Sequence, residues 1–231
     1  VAVGRALPES RRFTRPHGKA TLEGHRGRLL MLCSTAFLGL MFFAPNTQFQ
    51  NDFLRDEHGF SAVQITLFTF STNTPGGLGI IIGGKLADVR GRRVVGAIGT
   101  VLGSILLAAS FSLGMPWLWI TSMFGTMAAA MTVPALAVYG PELFPTALRA
   151  RANGILSVAG VAGSAVGLAA TGRFADHFGR MGPGLAILAL GPLLVALIVL
   201  AAYPETAHVE LEELNPEDAL AAPAVGLGPL G

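Results

Sequence analysis

The sequence predicts an all-α integral membrane protein with six transmembrane helices, and three observations support this fold class. Hydrophobic residues make up 52% of the 231 residues and charged residues only 13%, about half the charged fraction that is usual in soluble domains. Six apolar stretches are each long enough to cross a hydrocarbon core of about 30 Å as a helix. None of these stretches contains Asp, Glu, Lys or Arg. One charge at a helix centre costs roughly 2.5–3.5 kcal/mol in lipid, so this exclusion indicates membrane helices and disfavours a large soluble helical core.

The six apolar stretches also define the domain organisation. They are residues 29–49, 63–83, 94–113, 116–139, 154–171 and 182–203. We therefore predict an N-terminal arm over residues 1–28, a six-helix transmembrane domain over residues 29–203 and a C-terminal tail over residues 204–231. Beyond Leu214 the tail has few large apolar residues, so most of it is predicted to be disordered.

Several helix boundaries and interfaces carry their own signals. Ser61 followed by Gln64 fits a capping box at the start of the second helix. Pro75, within "STNTPGG", removes a backbone donor and is predicted to break this helix near its middle. Pro116 suits the first turn of the fourth helix. Three glycines in the fifth helix predict close packing against a neighbouring helix; they are Gly160, Gly163 and Gly167.

Basic residues are distributed unevenly between the two ends of the predicted helices. Thirteen of the 16 Lys and Arg residues lie in the N-terminal arm and in the loops after the second and fourth helices. The opposite side keeps Arg55, Arg173 and Arg180. Because cytoplasmic loops carry the excess of basic residues, both termini are predicted to lie on the cytoplasmic side of the cell membrane. A net charge of only +2 gives no basic field of the kind that nucleic-acid partners require.

The charged segment "GGKLADVRGRR", residues 83–93, has a partial copy 88 residues later in "GRFADHFGR", residues 172–180. Five of nine aligned positions are identical, and they pair Gly84 with Gly172, Ala87 with Ala175, Asp88 with Asp176, Gly91 with Gly179 and Arg92 with Arg180. Each copy closes the second helix of a group of three. Because three is odd, the two groups cross the membrane in opposite directions. The sequence therefore predicts two inverted three-helix repeats, which build many secondary transporters.

Four segments carry a resemblance to a known family. Residues 83–93 resemble the cytoplasmic signature loop between the eighth and ninth helices of the major facilitator superfamily. Three more resemble its sugar-porter branch: "LPESRRF" after the sixth helix, "PELFPTALRARANG" between the tenth and eleventh, and "YPETAHVELEEL" after the twelfth. All four occur in the family's order and spacing. Two departures put sugar specificity in doubt: Ala207 and His208 replace the Lys-Gly that follows in sugar porters, and the first helix lacks their Gln-rich pattern.

The resemblance implies a fold and a function. The matched segments cover the central loop and second half of a twelve-helix transporter, so the chain is expected to be a fragment containing the C-terminal six-helix half. A complete solute pathway would need the missing N-terminal half or a second copy. The implied function is transport of a small organic solute, sugar-like or another metabolite, by alternating access. The alternatives are a proton-coupled efflux or organic-acid transporter of the same superfamily, or a remnant that only binds a partner.

No enzymatic activity, cofactor or metal is expected. The six predicted helices contain no Asp, Glu or His, and a membrane enzyme would want such groups at membrane depth. For the same reason a proton-coupling group is expected in the missing half, if transport is coupled. Residues 83–85 lack the spacing of a phosphate-binding loop, which disfavours an ATP-driven pump.

By resemblance, charged residues at the cytoplasmic face form a gate that closes through ion pairs. Its members are expected to be Gly84, Asp88, Gly91, Arg92, Arg93, Glu142, Arg149 and Glu205. The alternative is that these charges only anchor the helices at the headgroups. The outer copy of the motif, Arg173, Asp176 and Arg180, is interpreted as a repeat relic and helix-end anchor, with an outer gate as the alternative.

Solute binding must depend on neutral polar groups and helix breaks, because the predicted helices carry no charge. Breaks expose backbone groups that a cavity or neighbouring helices must satisfy. The candidate binding residues are Asn46, Gln48 and Gln50 in the first helix, Asn73 and Thr74 in the second, and Thr132 and Tyr139 in the fourth. For each of them, hydrogen bonding between helices is the alternative role.

Overall fold

The computed structural model describes residues 22–207, and no β-strand occurs in that range. After a 3₁₀ turn at Glu23–His25, the helices are α1 Arg26–Gln48, α2 Gln50–Asp56, α3 Ala62–Asn73, α4 Gly76–Arg90, α5 Arg92–Ser110, α6 Trp117–Leu136, α7 Tyr139–Glu142, α8 Thr146–Phe178, α9 Gly182–Leu188 and α10 Leu190–Ala202. Residues 1–21 of the predicted arm and 208–231 of the predicted tail lie outside the described residues, whereas α1 begins within the predicted arm, at Arg26.

Five helical segments of the described chain are long and apolar enough to cross a membrane. They are Glu23–Gln48, Arg92–Ser110, Trp117–Leu136, Thr146–Phe178 and Gly182–Ala202. These coincide with five of the six predicted spans, although α8 begins eight residues before the predicted start of the fifth helix. The remaining predicted span is divided between α3, with 12 residues, and α4, with 15. Each is shorter than the roughly 20 residues that a membrane crossing needs.

The division of this span confirms the predicted break. The turn lies at Thr74 and Pro75, and α4 begins directly after the proline. The capping box at the start of α3 is also confirmed, because Gln64 N–H donates to Ser61 Oγ at 3.4 Å and Ser61 N–H donates to Gln64 Oε1 at 2.8 Å. Pro116 precedes the first residue of α6 and therefore caps the helix rather than lying in its first turn.

The long helices pack side by side in an open row. The main contacts run from α4 to α6, from α6 to α5, from α5 to α10, from α10 to α1 and from α1 to α8. The bundle has two ends, which are named after the glycines that lie there. At the Gly91 end α4 meets α5, and at the Gly179 end α8 meets α9.

Glycines of α8 bring this helix into close contact with α1. At Gly163 and Gly167 of α8, a Cβ would overlap the backbone carbonyls of Phe37 and Met41 in α1. Gly160 faces the side chain of Leu40. The predicted role of these glycines in helix packing is therefore confirmed, because any larger residue would push α8 away from α1.

The outer surface of the bundle is apolar, as lipid requires. On α5 the side chains of Ile98, Leu102 and Ile105 are about half exposed, and Leu197 of α10 is 62% exposed. Soluble proteins rarely expose large contiguous apolar patches. The all-helical fold with apolar spans thus agrees with the predicted membrane class.

Candidate functional site

The candidate site is built on the sharp turn between α4 and α5. Gly91 has φ +90°, a conformation that favours glycine, and its N–H donates to the carbonyl of Ala87 at 3.1 Å. A Cβ at Gly91 would lie 2.5 Å from Oε2 of Glu205. Glycine therefore serves twice here, because it permits the turn and leaves space for a carboxylate from the far end of the chain.

Glu205 fills that space and caps the first turn of α5. Its Oε1 accepts hydrogen bonds from the N–H groups of Arg92 at 2.9 Å and Ala207 at 3.1 Å, and its Oε2 accepts one from Arg93 N–H at 3.3 Å. Burial opposes ionisation of this side chain, but the three backbone hydrogen bonds outweigh it and hold the pKa of Glu205 below its ordinary value. The carboxylate is therefore ionised at neutral pH, where it also complements the partial positive charge of the helix start.

Arg92 connects three parts of the chain at this end. Its Nη1 donates to both carboxylate oxygens of Glu142, at 2.6 and 2.7 Å, and to the hydroxyl of Thr206 at 2.9 Å. The side chains of Arg92 and Glu142 are only 21% and 18% exposed. The ion pair is thus partly shielded from water, and it links α5 to α7 and to the segment after α10. We call Arg92, Arg93, Glu142, Glu205 and Thr206 the Arg92 cluster.

Three further arginines at this end donate to backbone carbonyls. Arg93 donates through Nη2 to Leu200, in the last turn of α10. Arg28 Nη1 donates to Leu143 at 3.1 Å, and Arg149 Nε donates to Phe144 at 3.0 Å. Because Leu143 and Phe144 follow α7, these two contacts fix the connection between α7 and α8.

A tyrosine pair lies beside the Arg92 cluster. The rings of Tyr139 and Tyr203 pack edge to face with centroids 4.7 Å apart. Tyr139 Oη donates to the carbonyl of Pro204 at 2.9 Å, and the hydroxyls of Tyr203 and Thr35 are 2.7 Å apart. Tyr139 is fully buried. It was a candidate for solute binding, but the structure places it in the packing between α7, the end of α10 and α1.

Five of the eight predicted gate residues meet around the turn between α4 and α5. They are Gly91, Arg92, Arg93, Glu142 and Glu205. Asp88 lies exposed in the last turn of α4, and Arg149 lies in the first turn of α8. Gly84 is half-buried, and a Cβ there would meet only the side chain of Pro134, at 3.8 Å.

The sequence did not predict that Thr206 and Arg28 make contacts at the Gly91 end. Both act through long-range contacts, with Arg92 in one case and with the carbonyl of Leu143 in the other. The only local signal was that Thr206 follows Glu205 in the tail motif.

The predicted solute-binding residues lie apart from the Arg92 cluster, with Tyr139 as the exception. Asn46 is 3% exposed, and its Nδ2 has no hydrogen-bond partner among the described residues. Gln48 is exposed and Gln50 half-buried in the segment where α1 gives way to α2. Asn46 is the notable member of this group, since a buried unpaired donor costs free energy and is usually satisfied.

The other candidates lie near the break between α3 and α4 and within α6. Asn73 and Thr74 are exposed at that break, and Thr74 Oγ1 donates back to the carbonyl of Phe70 at 2.6 Å. Thr132 is half-buried in α6 and donates to the carbonyl of Ala129 at 2.7 Å. Both threonines therefore satisfy their hydroxyls within their own helix.

The outer copy of the motif lies at the Gly179 end. Arg173, Asp176 and Arg180 are all exposed. In the part of the chain that the structure describes, none of the three forms a hydrogen bond or ion pair. The copy therefore keeps the sequence of the motif without the side-chain pairing seen around Arg92.

A comparison with known protein families shows which family the chain belongs to. The profile of the Major Facilitator Superfamily matches residues 31–228. The chain belongs to the major facilitator superfamily. Members of this superfamily are membrane transporters. The match and the apolar helices together show that the chain is a multi-pass membrane protein of a transporter family. No curated protein matches the chain.

For a major facilitator protein, the Arg92 cluster has a clear physical consequence. Its contacts join α5, α7 and the end of α10 at one end of the bundle. Exposed ion pairs contribute about 0–1 kcal/mol, whereas charge-assisted hydrogen bonds in partly buried networks contribute more. The cluster therefore stabilises this end of the bundle as one unit.

Proposed function

We propose that the chain is the C-terminal six-helix half of a solute transporter that works by alternating access. The observation that carries this proposal is the copied charged motif, because each copy contains a glycine that closes a helix. Gly91 and Gly179, 88 residues apart, both have positive φ, at +90° and +69°, and both donate to the carbonyl of an alanine four residues earlier. Inverted three-helix repeats are the building units of many secondary transporters.

The helix contacts support the same proposal. Under the repeat, α1 corresponds to α6, the α3–α4 pair to α8, and α5 to the α9–α10 pair. The close contact of α8 with α1 then corresponds to that of α4 with α6, and both contacts occur. The glycine contacts agree as well, because Gly79 lies against the carbonyl of Met127, as Gly167 lies against that of Met41.

The Arg92 cluster is the proposed cytoplasmic joint of this half. Arg26, Arg28, Arg90 and Arg151 accompany it at the Gly91 end, whereas Arg55, Arg173 and Arg180 belong to the other end. This charge distribution supports cytoplasmic termini. In the proposed mechanism the cluster holds the half rigid, while Asp88 and Arg149 at the same end bias the closed state. A network of this kind can shift two states that differ by a few kcal/mol.

Neutral polar groups are proposed to hold the solute. Asn46 is the first candidate, because its buried Nδ2 lacks a partner within the described residues and an unsatisfied buried donor costs roughly 1–3 kcal/mol. A solute hydroxyl or carbonyl would accept this hydrogen bond. The wall opposite this half is proposed to come from another six-helix unit or from a second copy of the chain.

Solute uptake tests the proposal. The transporter containing this chain is reconstituted in liposomes, and uptake of sugars, organic acids and cationic drugs is measured. We expect saturable uptake of at least one solute class, with a raised half-saturation concentration in Asn46→Ala. The matched control is Asn51→Ala, which removes an exposed amide five residues away. Equal half-saturation in the two variants would remove Asn46 from the site, and uptake that never saturates would contradict transport.

A further inference from the structure

The two repeat-related turns share more than their glycines. At the Gly91 end, the residue two positions after the glycine, Arg93, donates its backbone N–H to Oε2 of Glu205 at 3.3 Å. At the Gly179 end, the residue two positions after the glycine, Met181, donates its backbone N–H to Oε1 of Glu57 at 2.8 Å. The same backbone donor therefore binds a glutamate carboxylate in both turns, and each glutamate comes from a distant part of the chain.

We infer that Glu57 fixes the turn between α8 and α9 at the outer end of the bundle, as Glu205 fixes the turn between α4 and α5, although the two glutamates do not occupy equivalent positions of the repeat. It is a positioning residue, because it acts on the transport path only through the helices that it joins. Neither the charged motif nor its copy contains Glu57, which follows α2 directly.

The surroundings of Glu57 make it a firm attachment point. In α2, Phe53 and Leu54 are 2% and 0% exposed and belong to one apolar cluster with Phe111 and Leu185. A short helix anchored by two fully buried side chains holds its last residues in place. The side chain of Glu57 is itself exposed, but it extends from a backbone segment that this packing holds in place.

The turn itself is held from a second side by α5. A Cβ at Gly182, the first residue of α9, would lie 2.5 Å from the carbonyl oxygen of Phe111. The start of α9 is thus confined between the end of α5 and Glu57. Loss of the Glu57 contact would leave this confinement on one side only.

Glu57 also explains how the turn at the Gly179 end is held although the arginines there form no ion pairs with described residues. Arg173, Asp176 and Arg180 form no hydrogen bond or ion pair within residues 22–207, so the copied side chains do not close this end. The hydrogen bond from the Met181 N–H to Glu57 holds the turn instead. Both ends therefore have a carboxylate that accepts from the backbone of the turn, and the arginine pairing occurs at the Gly91 end.

The consequence for transport rests on the proposed function. A half that rocks as a rigid unit needs its helices joined at both ends, and the Arg92 cluster joins only one. Glu57 supplies the second joint. Its loss should lower the maximal transport rate without weakening solute binding, because no solute contact is removed.

Hydrogen–deuterium exchange measures the contact itself, without reference to transport. The full chain is compared as wild type, Glu57→Ala, Glu57→Gln and the control Asp56→Ala, which removes the neighbouring exposed carboxylate. Exchange at the Met181 amide should become at least about tenfold faster in Glu57→Ala, because a hydrogen bond to a charged acceptor is lost. Glu57→Gln keeps an acceptor oxygen, so its Met181 amide should exchange at a rate between those of wild type and Glu57→Ala. Asp56→Ala should exchange at the wild-type rate.

Each outcome decides the assignment. Unchanged exchange in Glu57→Ala, or an equal increase in Asp56→Ala, overturns it. Faster exchange confined to the Glu57 variants supports the joint, and a several-fold lower maximal uptake rate at unchanged half-saturation supports its positioning role. Faster exchange with normal uptake overturns that role. If the wild type transports nothing, the proposed function fails, and exchange alone then decides whether Glu57 fixes the turn.

Discussion

Nη1 of Arg92 lies 2.6 Å from Oε2 and 2.7 Å from Oε1 of Glu142, so one nitrogen of α5 binds both oxygens of a carboxylate in α7. Fifty residues separate the two in sequence. Both groups belong to the same helical bundle, and the same nitrogen also reaches Thr206 beyond α10. The ion pair therefore stabilises this unit from within.

Removing Glu142 should destabilise the protein clearly. Glu142→Ala leaves the partly buried Arg92 guanidinium without its carboxylate partner, while the hydrogen bond to Thr206 remains, and we expect a loss of about 1–3 kcal/mol of unfolding free energy. The matched control is Glu23→Ala, which breaks an ion pair to Arg26 whose side chains are more than 70% exposed. That pair should contribute at most about 1 kcal/mol. Unfolding of the purified chain in detergent gives the free-energy loss of each variant. Equal losses would show that the partly buried pair stabilises the protein no more than the exposed pair.

Gly91→Ala should be more harmful than Gly179→Ala. Both glycines have positive φ, but Gly179 is left-handed with ψ 7°, whereas Gly91 has ψ 144°, in a region that is nearly restricted to glycine, so the backbone strain of an alanine is itself larger at Gly91. Only at Gly91 would the new Cβ also displace the carboxylate of Glu205; at Gly179 it meets nothing within 4 Å.

The double variant Gly91→Ala/Glu205→Ala separates strain from displacement. Once Glu205 is shortened, the Gly91 substitution should cost less than it does in the wild-type background, as judged by thermal unfolding in detergent, because only the backbone strain remains. An unrelieved penalty in the double variant would mean that Glu205 does not fill the space beside Gly91.

The contact between α8 and α1 should not tolerate a larger residue at Gly167. Gly167→Val drives a branched side chain into the backbone of α1 at Met41, and overpacking of this kind typically costs about 1–3 kcal/mol. Gly172→Val lies on the same helix at a position with nothing within 4 Å and serves as the control. Unfolding curves in detergent that coincide for these two variants would contradict the close packing.

The contribution of Glu205 to stability should depend on pH in one direction. Because its folded-state pKa lies below the ordinary value of 4.5, its contribution is complete above that pH and is lost as pH falls through the lower folded pKa. The stability difference between wild type and Glu205→Gln should therefore be constant from pH 8 to about 5.5 and shrink only in stronger acid. A difference that declines between pH 8 and 6 would show that another group is responsible.

Local chemistry was readable from the sequence wherever neighbouring residues decide the conformation. Ser61 and Gln64 lie three residues apart and form the predicted capping box. Pro75 cannot donate a backbone hydrogen bond, and the helix breaks there as predicted. Gly163 marks close packing because it is small, which is a property of the residue itself.

The candidate site was only partly predictable, because its contacts depend on which distant segments of the chain come together in the fold. Glu57 and Thr206 lie in no recognisable pattern of spacing, and their partners Met181 and Arg92 are more than 100 residues away. Tyr139 ends the fourth apolar stretch, and the sequence therefore predicts it as a solute-binding candidate on that helix. The helix ends at Leu136 instead, and the chain turns Tyr139 toward Pro204.

Uptake by gate variants of the transporter containing this chain is the most direct test of the account. Asp88→Ala and Arg149→Ala are compared with wild type in proteoliposomes, and Arg173→Ala serves as a control at the opposite end. The account predicts slower solute uptake in the first two variants, normal uptake in the control and unchanged membrane insertion in all three. Normal uptake rates in both Asp88→Ala and Arg149→Ala would contradict a gate at this end of the bundle.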